Sequence, residues 1–222
     1  MNNDVKSERT STFLWWVISP TFKYAEYLKN KIPADQKNDL KVLIIKNNQF
    51  YFLSAFFLCA VAQALTSWIE WSDGIIVGIC VALFSWFYLC SRATEIFKAF
   101  LTDAIDILDD KKPSSNLTYG DRLKLAFKSY VELILIFAIF YFIVPKEYFS
   151  FSCEGFSSIF EAIYFSGVTI TTLGYGDINP VNTLVQLATV YQVLVGFSLI
   201  IVSFTIYTSK GLNKEGGPGS AV

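Results

Sequence analysis

The stretch SSIFEAIYFSGVTITTLGYGD, residues 157–177, decides the fold. Its first half reads as a helix start: Ser158 stands as N-cap, and Glu161 follows three residues later in capping-box register. A helix of about three turns follows, too short to cross a bilayer core of about 30 Å. Its second half, Thr169–Asp177, has neither a helical nor a strand period and carries glycine at 174 and 176. Long apolar runs flank the whole stretch. Non-helical backbone at membrane depth is tolerated only where protein buries it or where it lines an aqueous path. The residues therefore predict a re-entrant helix and loop lining a pore.

Working outward, four apolar runs are long enough to span, or nearly so. They are Phe50–Ile69, interrupted only by Gln63; Gly74–Cys90; Val131–Val144, with a helix-compatible lead-in from Asp121; and Val181–Tyr207, which holds no charge. The composition agrees. Of 222 residues, 53% are hydrophobic and 17% charged, against about 25% charged in a typical soluble domain. The net charge of −1 offers no field for a nucleic-acid backbone, so no nucleic-acid partner is expected. The absence of histidine removes Ser-His-Asp triads, Cys-His dyads and His-ligated metals, and no enzyme is expected. The expected fold class is an all-α integral membrane protein with four transmembrane helices per subunit plus the re-entrant pore helix and loop.

Basic residues set the expected orientation. Positions 1–49 hold eight, 92–128 hold seven, the tail holds Lys210 and Lys214, and Lys146 alone lies on the other side. Both termini should face the cytoplasm of a multi-pass protein in the cell (plasma or inner) membrane. The expected organisation is a cytoplasmic or interfacial segment at 1–49, a transmembrane hairpin at 50–91, an amphipathic linker at 92–120, a pore domain at 121–208 and a flexible tail at 209–222. Trp15 and Trp16 suit either a membrane-surface helix over 13–30 or an arm packed on the protein. In the linker, Ala93, Ile96, Phe97, Phe100, Leu101, Ala104, Ile105 and Leu108 recur at helical spacing, so the second span is expected to continue as this helix. The four cysteines show no disulfide framework or CxxC pair.

In this frame, Thr172-Leu173-Gly174-Tyr175-Gly176-Asp177 resembles the filter signature of the potassium-channel pore family, with Leu where Val is commonest. The resemblance covers about 121–208: outer helix, capped pore helix, filter and inner helix. It implies that carbonyls of Thr172, Leu173, Gly174, Tyr175 and Gly176 replace the water around potassium, with ions at Thr172–Tyr175. Glycine reaches the unusual dihedrals such a path needs without steric cost. It also implies that Leu173 and Tyr175 point into supporting protein, and that Tyr164, Thr171 and Asp177 brace the filter. One chain carries one filter segment and a ring needs four, so a homotetramer is expected. The resemblance implies potassium as the transported ion, and no cofactor is expected.

Gly196 resembles the family's hinge glycine; the alternative is a small residue that lets helices approach closely. Phe197, Ile200, Phe204 and Thr205 are candidate pore-lining residues. Glu132, inside a span, is expected to pair with Lys128 one turn earlier, or to take a gating or pH-linked role. Gln63, Gln186 and Gln192 are expected to form interhelical hydrogen bonds. No span repeats arginine or lysine at every third residue, so no voltage sensor of that kind is expected. The partners expected are the chain itself and the lipid bilayer; no regulatory ligand is indicated. A weakly selective cation channel and a non-conducting sensor with a pore-like fold are the competing functions.

Overall fold

The computed structural model describes residues 15–33, 35–68, 75–109, 111–112, 115–151 and 156–204, with side chains at 66–68, 75–86, 151 and 202–204 set aside. In chain order the elements are α1 (Pro20–Asn30), α2 (Lys37–Trp68), α3 (Ile75–Leu108), α4 (Tyr119–Ile143), β1 (Phe149–Phe151), α5 (Ile159–Ile170), β2 (Ile178–Pro180) and α6 (Thr183–Ser198). A π-helical turn, Leu199–Phe204, continues α6. Among the described residues, Lys37–Leu65, Tyr119–Ile143 and Thr183–Ile201 are long and apolar enough to cross a membrane. The protein is an all-α membrane protein. The expected second span, Gly74–Cys90, lies largely outside the described side chains, although the helix that carries it runs unbroken to Leu108.

α4 is the central post. Thr118 accepts from the backbone N–H of Asp121 while the Asp121 carboxylate accepts from the Thr118 N–H, so two orphan donors of the first turn are satisfied reciprocally. Pro145, which cannot continue a helix, follows its C-cap at Val144. Leu133, Phe137, Ala138 and Tyr141 are fully buried. α2 lies against α4 through Asn48 on Ser129 and Lys41 on Asp121, 2.9 and 2.7 Å. α3 lies against it through an ion cluster.

That cluster corrects the expectation for Glu132, which does not pair with Lys128. Glu132 turns into the bundle and is fully buried. Arg92 of α3 meets it with both Nε and a terminal nitrogen, at 2.6 and 3.1 Å. The same guanidinium holds Glu95 at 2.8 Å and lies 3.9 Å from the centre of the Tyr51 ring. Lys128 donates instead to Gln49 of α2. The planar fork of arginine matches a carboxylate bidentately, which a lysine ammonium cannot do. The spacing of 128 and 132 was visible in the sequence; the approach of α3 was not.

The N-terminal arm packs on α3 by one face. Ser19 donates to the Ser91 carbonyl at 2.7 Å, and Lys98 sits 3.4 Å from the Trp15 ring centre and 4.3 Å from that of Phe22. Trp16, Tyr24 and Tyr27 remain exposed. Along the linker stripe, Ala93, Ile96 and Ala104 are buried, whereas Ile105 and Leu108 are uncovered at its lower end.

Replacing Arg92 by methionine would strand two buried carboxylates. Arg92→Met is expected to destabilise the protein by about 3–5 kcal/mol. A triple variant, Arg92→Met with Glu95→Gln and Glu132→Met, should recover most of that loss. Thermal unfolding of the detergent-purified variants measures both.

Candidate functional site: the re-entrant segment

α5 begins at Ser158, but its hydroxyl makes no capping bond. The Glu161 carboxylate reaches one residue further back, accepting from the Ser157 N–H at 2.6 Å and its hydroxyl at 2.7 Å. Those bonds hold the Glu161 carboxyl below its ordinary pKa. The capping box expected on Ser158 does not form: the Glu161 N–H bonds the Ser158 carbonyl at 3.2 Å, so no side-chain oxygen caps it. Another orphan donor, the Ile159 N–H, is met by the Gln63 side chain from α2 at 2.7 Å. α2 therefore touches α5 of its own chain.

The far end of α5 turns sharply. The Leu173 N–H bonds the Val168 carbonyl at 2.9 Å, and the Thr172 N–H bonds that of Thr169 at 2.9 Å. This is the six-to-one and five-to-two pairing of a Schellman turn, with Thr172 at the left-handed position that glycine usually takes. Thr172 has φ 61°, Gly174 has φ 51° and Gly176 has φ 79°. Leu173 and Tyr175 between them keep negative φ. Left-handed backbone at every second residue swings successive carbonyls toward one side of the strand. For a β-branched residue it costs roughly 1–2 kcal/mol, so the surroundings must enforce it.

The braces are visible. Tyr164 on α5 donates to the Asp177 carboxylate at 2.9 Å, and its ring stacks on Tyr175 with centres 6.3 Å apart and planes 4° from parallel. The other Asp177 oxygen accepts from the Ile178 N–H at 3.2 Å. Thr171 turns its hydroxyl back onto the Gly167 carbonyl at 2.7 Å and so secures the helix end. Leu173 and Tyr175 do not enter the core of the chain: they are 60% and 66% exposed. Among the described residues, Tyr164 is the ring that stacks on Tyr175, and the rest of the Tyr175 side chain is open.

Beyond the loop, the chain closes on itself. β1 and β2 pair antiparallel, Phe149 opposite Pro180 and Phe151 opposite Ile178, so the two ends of the re-entrant segment are clasped. Beneath it, Tyr141, Phe149, Phe156 and Phe165 form an aromatic cluster with ring centres as close as 4.9 Å. Gln192 of α6 is fully buried and joins three helices: it donates to the Ser166 hydroxyl at 2.7 Å and accepts from Tyr141 at 2.8 Å. Gln186 donates to the Pro180 carbonyl at 3.1 Å.

Asn179 was not singled out in the sequence. Its amide donates to the Gly176 carbonyl at 2.8 Å, which ties the outer end of the glycine loop to β2. Nothing local in the sequence distinguishes it from an ordinary turn asparagine; the pairing register of β2 creates the contact.

Gly196 is buried against the end of α5. A Cβ there would come within 2.8 Å of the Ile170 Cδ1 and closer still to its Cγ1. In this structure the glycine permits close approach, as the second of its two readings required. Phe197 and Ile200 are exposed, on the face of α6 that also carries Leu187, Val190 and Leu194. The Phe204 side chain and Thr205 lie outside the described residues. The π turn was not foreseen; its apolar sequence is as compatible with an α-helix.

Against this geometry, residues 129–211 match the family model for ion channels. In this segment the chain is similar to ion-channel domains. The matched channel domain begins within α4 and takes in α5, the glycine loop and α6. The chain is also 33% identical over 84 residues to YugO of Bacillus subtilis (strain 168), named as a potassium channel protein. That match covers 37% of this chain and 23% of the relative's length. No solved structure matches the chain.

Gly196→Ala is expected to destabilise the channel domain by about 1–3 kcal/mol through overpacking. Trimming the neighbour in Gly196→Ala/Ile170→Ala should restore most of the loss. Denaturation midpoints of the single and double variants test this coupling.

Proposed function

We propose that the chain is the subunit of a potassium-selective, homotetrameric channel that conducts passively through a ring of backbone carbonyls from Thr172 to Gly176. The observation that carries this reading is the left-handed backbone at every second residue from 172 to 176. A dehydrated potassium ion needs oxygens in place of water, and consecutive carbonyls turned to one side supply them along an axis. Four copies are needed because each contributes one line of oxygens.

The uncovered groups support the assembly. Leu173 and Tyr175 lack cover in a single chain, and α6 leaves Leu187, Val190, Leu194 and Phe197 exposed on one face. The channel relationship of 129–211 and the potassium-channel name of the relative support the ion class. The protein sits in the plasma or inner membrane with both termini cytoplasmic, as the basic residues favour. Tyr164, Thr171 and Asp177 brace the filter, and Phe197 and Ile200 face the conduction path below it. Gly196 opens the inner helix only if Ile170 moves with it, and Glu132 acts on gating through Arg92.

Liposomes containing the purified protein test the proposal, with potassium flux compared to sodium flux. The parent should pass potassium and exclude sodium. Gly174→Ala introduces a Cβ that meets no atom within 4 Å in its own chain, yet φ 51° costs an L-residue roughly 1–2 kcal/mol. That variant is expected to lose at least tenfold in potassium flux or to lose its selectivity. Equal flux of both ions through the parent would replace the proposal with a weakly selective channel.

A further inference from the structure

Where α2 meets the first turns of α4, a groove of about 490 Å³ opens, walled by Ile45, Leu123, Leu125 and Phe127 and edged by Asp121, Lys124 and Lys128. Its depth follows from the chemistry of its two helices. On α4 the charged lead-in ends at Lys128, and Glu132 is the only charge from there to Val144. On α2 the last charge is Lys46, after which nothing charged occurs through Trp68. The Asn48–Ser129 and Gln49–Lys128 bonds hold these two boundaries level. The groove therefore lies where headgroups meet acyl chains.

Its charge is unbalanced. Asp121, the single acid on its edge, is taken up by Lys41 at 2.7 Å and by the Thr118 N–H at 3.0 Å. Arg122 is drawn away to Asp103 of α3. Lys124 and Lys128 meet no carboxylate among the described residues, and the one hydrogen bond of Lys128 goes to a neutral amide. Beside these two ammonium groups the Phe127 ring is 59% exposed. Cationic heads next to an open apolar wall at this depth match a phosphodiester joined to acyl chains. We propose that the groove binds the headgroup of an anionic phospholipid, with its phosphate on Lys124 and Lys128 and an acyl chain along Phe127 and Ile45.

The proposal needs only membrane insertion and stands apart from ion selectivity, because bound lipid is read as mass. Native mass spectrometry of the full-length protein, titrated with phosphatidylglycerol and phosphatidylcholine of equal chain length, tests it. The parent should prefer phosphatidylglycerol. Lys124→Gln and Lys128→Gln should each lower that preference about fivefold, and the pair about 30-fold. Lys111→Gln/Lys112→Gln, in the linker after α3, should leave it unchanged. An unchanged preference in the Lys124/Lys128 pair, or an equal loss in the linker pair, overturns the proposal. So does loss of the assembled species in Phe127→Ala with lipid preference intact, which would make the groove a contact between subunits.

Discussion

Thr172, Gly174 and Gly176 hold a backbone conformation that the chain does not keep without help, and the rest of the structure is organised around holding it. The Schellman turn at the end of α5 sets the first left-handed residue. Tyr164 and Asp177 fix the middle and Asn179 fixes the outer end. Each brace rests on something larger. α5 is seated by Gln192 and Ser166 on α4 and α6, and the β1–β2 clasp prevents the two ends of the segment from separating. The Gln192–Ser166 bond is buried, where an unmade hydrogen bond is costly, so it seats α5 more strictly than packing alone.

Much of this was legible in the sequence for a physical reason. A bilayer demands long apolar runs, so the spans announce themselves by length. Glycine at 174 and 176 marks positive φ because few other residues tolerate it. Tyr164 and Asp177 were expected to serve one loop, and the structure brings them within hydrogen-bonding distance. Gln63 and Gln192 found partners on other helices, as expected, whereas Gln186 donates to the Pro180 carbonyl of β2 and makes no interhelical bond among those described.

What was not legible depends on relations between helices. The sequence placed Lys128 one turn from Glu132, but helix rotation sends the carboxylate inward and the ammonium toward α2. Arg92, forty positions away, becomes the partner only once α3 is docked. Thr172 at φ 61° could not be anticipated from propensity, since a β-branched residue is among the least suited to that region. The side-chain cap expected from Ser158 is missing for a similar reason: the Glu161 N–H turns to the Ser158 carbonyl, and its carboxylate to Ser157.

The bond from Gln63 to the Ile159 N–H bears on how such proteins diversify. Residues 129–211 are the portion shared with other channels, and shared portions are often treated as interchangeable cassettes. Here the cassette draws the cap for its pore helix from α2 and the countercharge for Glu132 from α3. Excised at that boundary, it would carry an orphan amide and an unmatched carboxylate into the bilayer. The structural unit is therefore larger than the matched stretch: it includes the parts of α2 and α3 that complete these two contacts.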